Sequence, residues 1–152
     1  MRARLVASAL LALAAGATFG QVKVEQAWVR GTVPGQVGTG AFFDITSTKA
    51  ATLVAAESPV AGVTQIHAME MKNNVMTMKE IEGIALPAGK AVRLSPGGNH
   101  VMLLDLKSPM KAGESVPIKL TVEYADKKRE TVEVKAEVRA LTAAAPATQH
   151  KH

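Results

Sequence analysis

Two histidines and two methionines in this chain are spaced as a metal-binding set: His67, ten residues, Met78, twenty-one residues, His100, one residue, Met102. They lie in the segments HAMEMKNNVMTM and GGNHVM. Imidazole nitrogen and thioether sulfur are soft, uncharged donors that suit Cu(I) better than Zn(II), Mg(II) or Ca(II). The chain contains no cysteine, so such a site is built without thiolate. That absence excludes blue-copper electron transfer, which uses two histidines and a Cys thiolate with a weak axial Met. It also suits an oxidising compartment, where a cysteine-based Cu(I) site would be lost to disulfide or higher oxides.

Strand geometry makes the spacing intelligible. Residues two apart point to one face of a strand, so His100 and Met102 present an imidazole and a thioether together. Leu104 and Leu106 are expected to continue that face, with Val101 and Leu103 on the other. A strand apolar on both faces is expected at the centre of its sheet, with the ligand pair near one end, beside Pro96-Gly97-Gly98. The other half reads as a β-hairpin turning at Asn73-Asn74, because Asn tolerates the left-handed conformation that tight turns need. A two-residue loop sets Lys72 opposite Val75, Met71 opposite Met76 and Met69 opposite Met78. His67, Met69, Met71, Met76, Met78 and Glu80 then share a face, with His67 and Met78 diagonal neighbours. Taken singly, Met69, Met71, Met76 and Met110 read as core filler. As part of the set, Met69 is a fifth or substitute ligand, and Met71 and Met76 are a soft rim for Cu(I) or a partner.

The elements that must position these residues are short strands broken by turn residues. Strands are expected over 22–29, 40–46, 51–58, 63–71, 75–81, 91–94, 100–106, 116–124 and 130–139, with a loop over 31–40. No long amphipathic helix is present, so the fold class is all-β, a single-domain sandwich or barrel. The local pattern is clearest in VPIKLTVEY and ETVEVKAEV, where β-branched residues recur at strand spacing. The start, MRARLVASALLALAAGA, reads as a secretory signal peptide over 1–20, cleaved after Ala17 or Gly20. Its apolar run is short for a membrane span, so no stable membrane insertion is expected after cleavage, and the mature protein is placed in the periplasm. The copper-binding domain is expected over 21–140 and a disordered tail over 141–152. His150 and His152 in that tail form a candidate Cu(II) site.

The formal charge is +5, and without Arg2 and Arg4 it is +3. No basic cluster is interleaved with aromatics, so nucleic acid is not an expected partner. Lys127-Lys128-Arg129 reads as a solvated hairpin tip. No Ser-His-Asp or Cys-His set, no H-E-x-x-H and no phosphate-binding Gly-rich loop is found, so the chain is not read as an enzyme. Asp44, Glu70, Glu80, Glu82 and Asp105 read as solvated or structural.

Ala27-Trp28-Val29-Arg30, the segment from Pro96 to Lys107, and Val116-Pro117 through Glu123 complete a resemblance to the PCuA(C) family of periplasmic copper chaperones over about residues 22–138. The resemblance implies a cupredoxin-like Greek-key β-sandwich, with His67, Met78, His100 and Met102 binding one Cu(I). It also implies delivery to a copper-accepting protein, the copper centre of cytochrome c oxidase in subunit II, with a second copper chaperone or a thiol reductant as a further partner. The family's longer hairpin loop would slip the register given above. Two other readings stand beside delivery: copper storage or resistance through the same site, and a metal-free β-sandwich interaction module.

Overall fold

The computed structural model describes residues 20–140, and every regular element in that range is a strand. The order is β1 (Val22–Arg30), β2 (Gly38–Ser47), β3 (Ala51–Glu57), β4 (Ala61–Lys72), β5 (Val75–Glu80), β6 (Ile84–Leu86), β7 (Ala91–Leu94), β8 (His100–Leu106), β9 (Ser115–Tyr124) and β10 (Arg129–Arg139). The expected all-β class is the one the chain adopts. The leader, apart from Gly20, and the tail with His150 and His152 lie outside the described residues. Among the described residues no helix is long and apolar enough to cross a membrane.

Hydrogen bonding runs through the order β5-β4-β8-β2-β1-β10-β9-β3-β6, and β7 pairs with the second half of β2. The β1–β10 pair is parallel; the others are antiparallel. Inward side chains of both halves meet in one core, including Val29, Phe43, Ile66, Val101 and Leu103 from one side and Leu53, Leu86, Leu120, Val122 and Val138 from the other. Each such buried Val, Leu, Ile or Phe stabilises the fold by about 1.5–3 kcal/mol relative to exposure. β9 shows the underlying alternation: Val116, Ile118, Leu120 and Val122 are buried while Ser115, Pro117 and Lys119 are exposed.

β8 lies between β4 and β2, as its two apolar faces require. Two bulges decide which residues face outward. In β1, Val22 and Val24 point to the core. The ladder with β2 then slips between Glu25 and Trp28, around Gln26 at φ 53°. The extra residue reverses the alternation, so Val29 faces the core while Trp28 is buried outside it. In β8, Asp105 is left-handed, at φ 52°, which breaks the alternation that an extended residue would keep. Leu106 accordingly packs against the core, which corrects the expectation that it continues the face of His100 and Met102. The expected strand at Gly40 begins earlier, at Gly38, because Gly38 and Gly40 pair with Leu104 and Met102. β6 had no counterpart in the sequence reading; its three residues are held by pairing with Ala51, Thr52 and Leu53.

Candidate metal centre

The β4–β5 hairpin has the two-residue turn expected from Asn73-Asn74. Both residues are left-handed, at φ 49° and 62°. The register is Lys72↔Val75, Met71↔Met76, Met69↔Met78 and His67↔Glu80, so the shorter loop holds. Beyond the hairpin, β4 pairs with β8, which sets His67 directly opposite His100 and Gln65 opposite Met102. Directly opposed residues share a face. His67, Met69, Met78, His100 and Met102 therefore all stand on the outer face of this part of the sheet, away from the core.

On that face Met69, Met78, His100 and Met102 line one cavity of about 300 Å³, together with Arg30, Gln36, Phe42, Pro96 and Gly97. His67 is not part of this lining. Its ring stands edge-on to that of His100, with centroids 5.6 Å apart. Gly38 and Gly40 also border the cavity. A Cβ on Gly40 would lie 2.7 Å from the Phe42 ring, so a side chain there would displace the ring on which His100 rests.

Each imidazole is held by one nitrogen. His100 is 6% exposed, and its Nδ1–H donates to the Gly98 carbonyl oxygen at 3.0 Å, which leaves the lone pair on Nε2. The His67 Nε2–H donates to Gln65 Oε1 at 2.8 Å, which leaves the lone pair on Nδ1. That Nδ1 is buried and has no hydrogen-bond partner, and an unpartnered buried acceptor costs about 1–3 kcal/mol. Burial, then the neighbouring His100, hold the His67 pKa below its ordinary value, against an opposing pull from Glu80. The ring is thus neutral at neutral pH, the form that binds metal.

Beneath the site lies a second buried layer. Trp28 and Phe42 have ring centroids 4.6 Å apart, and Phe42 is 6.0 Å from His100. The guanidinium of Arg139 covers Trp28 at 5.1 Å and that of Arg30 covers Phe42 at 5.8 Å. This layer covers one side of His100. The sequence places Trp28 and Arg30 in the opening strand motif and Phe42 in the next strand without a role at the site, and Gln65 escapes it. Gln65 was findable, since it lies two residues before His67 on the same strand face.

The structure corrects the reading of the single methionines. Met110 is core, at 3% exposed, but Met71 is 63% and Met76 46% exposed, and Met69 lines the cavity. Among the described residues no three His, Cys, Asp or Glu side chains converge in a way that could hold a metal. A metal on this face would need the thioethers, and a soft monovalent ion is what such donors fit.

The profile of the family described as "Putative lipoprotein LpqE-like" matches residues 22–138. The chain is 38% identical over 108 residues to the "Putative lipoprotein Lxx21020" of Leifsonia xyli subsp. xyli, a match covering 69% of this chain. It spans 63% of that protein's length, less than two thirds. Among solved structures, the apo PCuAC domain from PmoF1 aligns with a TM-score of 0.64 at 26% identity, over 80% of this chain and 95% of that one. The Cu(I) form of DR1885 from Deinococcus radiodurans aligns with a TM-score of 0.61 at 31% identity, over 82% of this chain and 83% of that one. The architecture is the cupredoxin-like β-fold of the PCuAC domains.

Proposed function

The chain belongs to the LpqE-like family, a PCuAC-related family, and on that premise we propose that it is a Cu(I) chaperone of the periplasm. One observation carries the reading. Met78, His100 and Met102 converge on one cavity, with His67 against His100 and a free imidazole lone pair on each ring. The likeness to DR1885, whose solved structure is a Cu(I) form, supports copper as the cargo.

In this reading His67, Met78, His100 and Met102 hold one Cu(I), with Nδ1 of His67 and Nε2 of His100 as the nitrogen donors. The ion is cargo, and its d¹⁰ shell imposes no fixed geometry, so transfer requires only stepwise exchange of ligands. Burial sets the order of release. Met78 is 54% exposed and His100 6%, so an acceptor displaces Met78 first and His100 last. Trp28 and Phe42 keep water from the inner side of the ion. No residue here changes the oxidation state of copper, and the chain is not an enzyme in this reading. The resemblance to the PCuA(C) family supports the copper centre of cytochrome c oxidase as acceptor. The lipoprotein names in the family support an exported, envelope-associated protein; in this reading 1–20 is the leader and 21–140 the binding domain.

Transfer is the direct test. The Cu(I)-loaded protein is mixed anaerobically with the copper-free soluble domain of oxidase subunit II, the two are separated, and copper is measured in each. Copper moving to the subunit supports delivery. Copper retained by a protein that binds it tightly would point to storage through the same site.

A further inference from the structure

The outer end of the β4–β5 hairpin carries donors that the site above does not use. Met71 and Met76 are directly opposed, one step beyond the opposed pair Met69 and Met78. Both are exposed, at 63% and 46%, so neither is there for packing. An apolar side chain held in water on a sheet edge gains nothing from burial, and edge strands usually carry charge instead. The hairpin does carry charge, but on its other face: Glu70, Lys72 and Lys79 alternate with the methionines. The outer face is left to four thioethers, with Glu80 opposite His67 at its inner end.

The turn places these sulfurs to work in pairs. A two-residue loop makes Lys72 and Val75 the hydrogen-bonded pair that closes the hairpin. Met71↔Met76 and Met69↔Met78 then both fall at non-hydrogen-bonded positions, where opposed Cα atoms approach to about 4.5 Å and side chains are closest. Successive pairs on one face are about 6.8 Å apart along the strand, within the combined reach of flexible methionine side chains. The inner pair, Met69 and Met78, already lines the cavity with His100 and Met102. Two sulfur pairs thus form a line from the solvent-exposed tip to the histidines.

We propose that Met71 and Met76 form a second, weaker Cu(I) site at the tip of the hairpin, an entry station from which the ion passes through Met69 and Met78 to His100 and Met102. The inference rests on the Cu(I) reading for the identity of the ion. Thioethers alone are neutral, soft and exposed here, so the tip site holds Cu(I) without proton release and gives it up to the imidazole-containing site within. No bond other than metal–ligand bonds forms or breaks, and copper stays monovalent throughout.

The test uses the full chain with ¹³C-labelled methionine methyl groups, titrated with Ag(I) as a redox-inert stand-in and then with Cu(I) anaerobically. The first equivalent is expected to shift the methyl signals of Met78 and Met102, and the second to shift those of Met71 and Met76 together. The double variant Met71→Leu/Met76→Leu, at exposed positions, is expected to lose the second equivalent and keep the first. Met71 and Met76 signals unmoved through two equivalents would overturn the tip site, whether or not the first equivalent binds. If those signals shift while those of Met78 and Met102 show no response, the tip site stands and the four-residue chaperone site falls. Retention of the second equivalent by the double variant would also overturn the proposal.

Discussion

Two antiparallel hairpins of this protein bury opposite shares of their side chains. In β9–β10, Val116, Ile118, Leu120 and Val122 are buried, and the tip is held by ion pairs from Arg129 and Lys127 to Glu123 at 3.0 and 3.5 Å. Apolar residues there are inside and charges outside. In β4–β5 every residue of β5 is exposed, and the exposed apolar residues include Met71, Val75, Met76 and Met78. The first hairpin is a structural element. The second leaves its thioethers open to solvent. Exposed methionine pairs on the same sheet face as an opposed histidine pair are a more specific sign of chemistry than the number of methionines.

The comparison predicts separable effects. Leu120→Ala, in the buried hairpin, should cost about 2–5 kcal/mol of stability in denaturant unfolding and leave Cu(I) binding per folded molecule unchanged. His100→Ala should weaken Cu(I) binding by more than the roughly 10–100-fold that loss of a supporting hydrogen bond costs a metal site, read by competition with a chelator. Gln65→Ala, which frees the His67 ring, should fall within that 10–100-fold range. Equal affinity in Gln65→Ala would show that the ring needs no orientation.

Acidity gives a smaller, graded effect. The His67 pKa lies below its ordinary value of 6.5, chiefly through burial and then through His100. A group with a depressed cationic pKa is neutral in the folded protein when the unfolded chain begins to take up protons. Cu(I) affinity should thus stay level through about pH 6.5 and decline only at lower pH, as His67 takes up its proton. Stability of the metal-free protein contributed by this group should likewise fall as pH drops below about 6.5. A decline beginning well above neutrality would contradict the burial of His67. Smallest of all, Met76→Leu in the exposed hairpin should change unfolding free energy by no more than about 0.5 kcal/mol; a loss of several kcal/mol would mean that the hairpin is packed against something after all.

Where local rules governed, the sequence was legible. Asn73-Asn74 fixed a two-residue turn, the turn fixed the register, and the register placed Met69 against Met78. His100 and Met102 followed from strand period alone. The features that escaped each depend on a single backbone angle or on what covers a residue. The bulge at Gln26 turns Trp28 out of the core alternation, and Asp105 turns Leu106 into it; Gln does not announce a positive φ, and Asp tolerates one without requiring it. β6, only three residues long, is set by its partner strand. Met110 and Met71 are the same residue type in short apolar contexts, yet one is buried and the other open, because burial is decided by distant strands.

The most direct test of the four-residue site is an anaerobic Cu(I) titration against a competing chelator, with the fluorescence of Trp28, the only tryptophan, followed in parallel. It is run on the parent protein and on His67→Ala, Met78→Ala, His100→Ala and Met102→Ala, each checked for folding. The account predicts a tight equivalent that each substitution weakens, and a change in Trp28 emission as the layer under His100 responds. Tight binding indifferent to all four substitutions, or no tight binding, would contradict it.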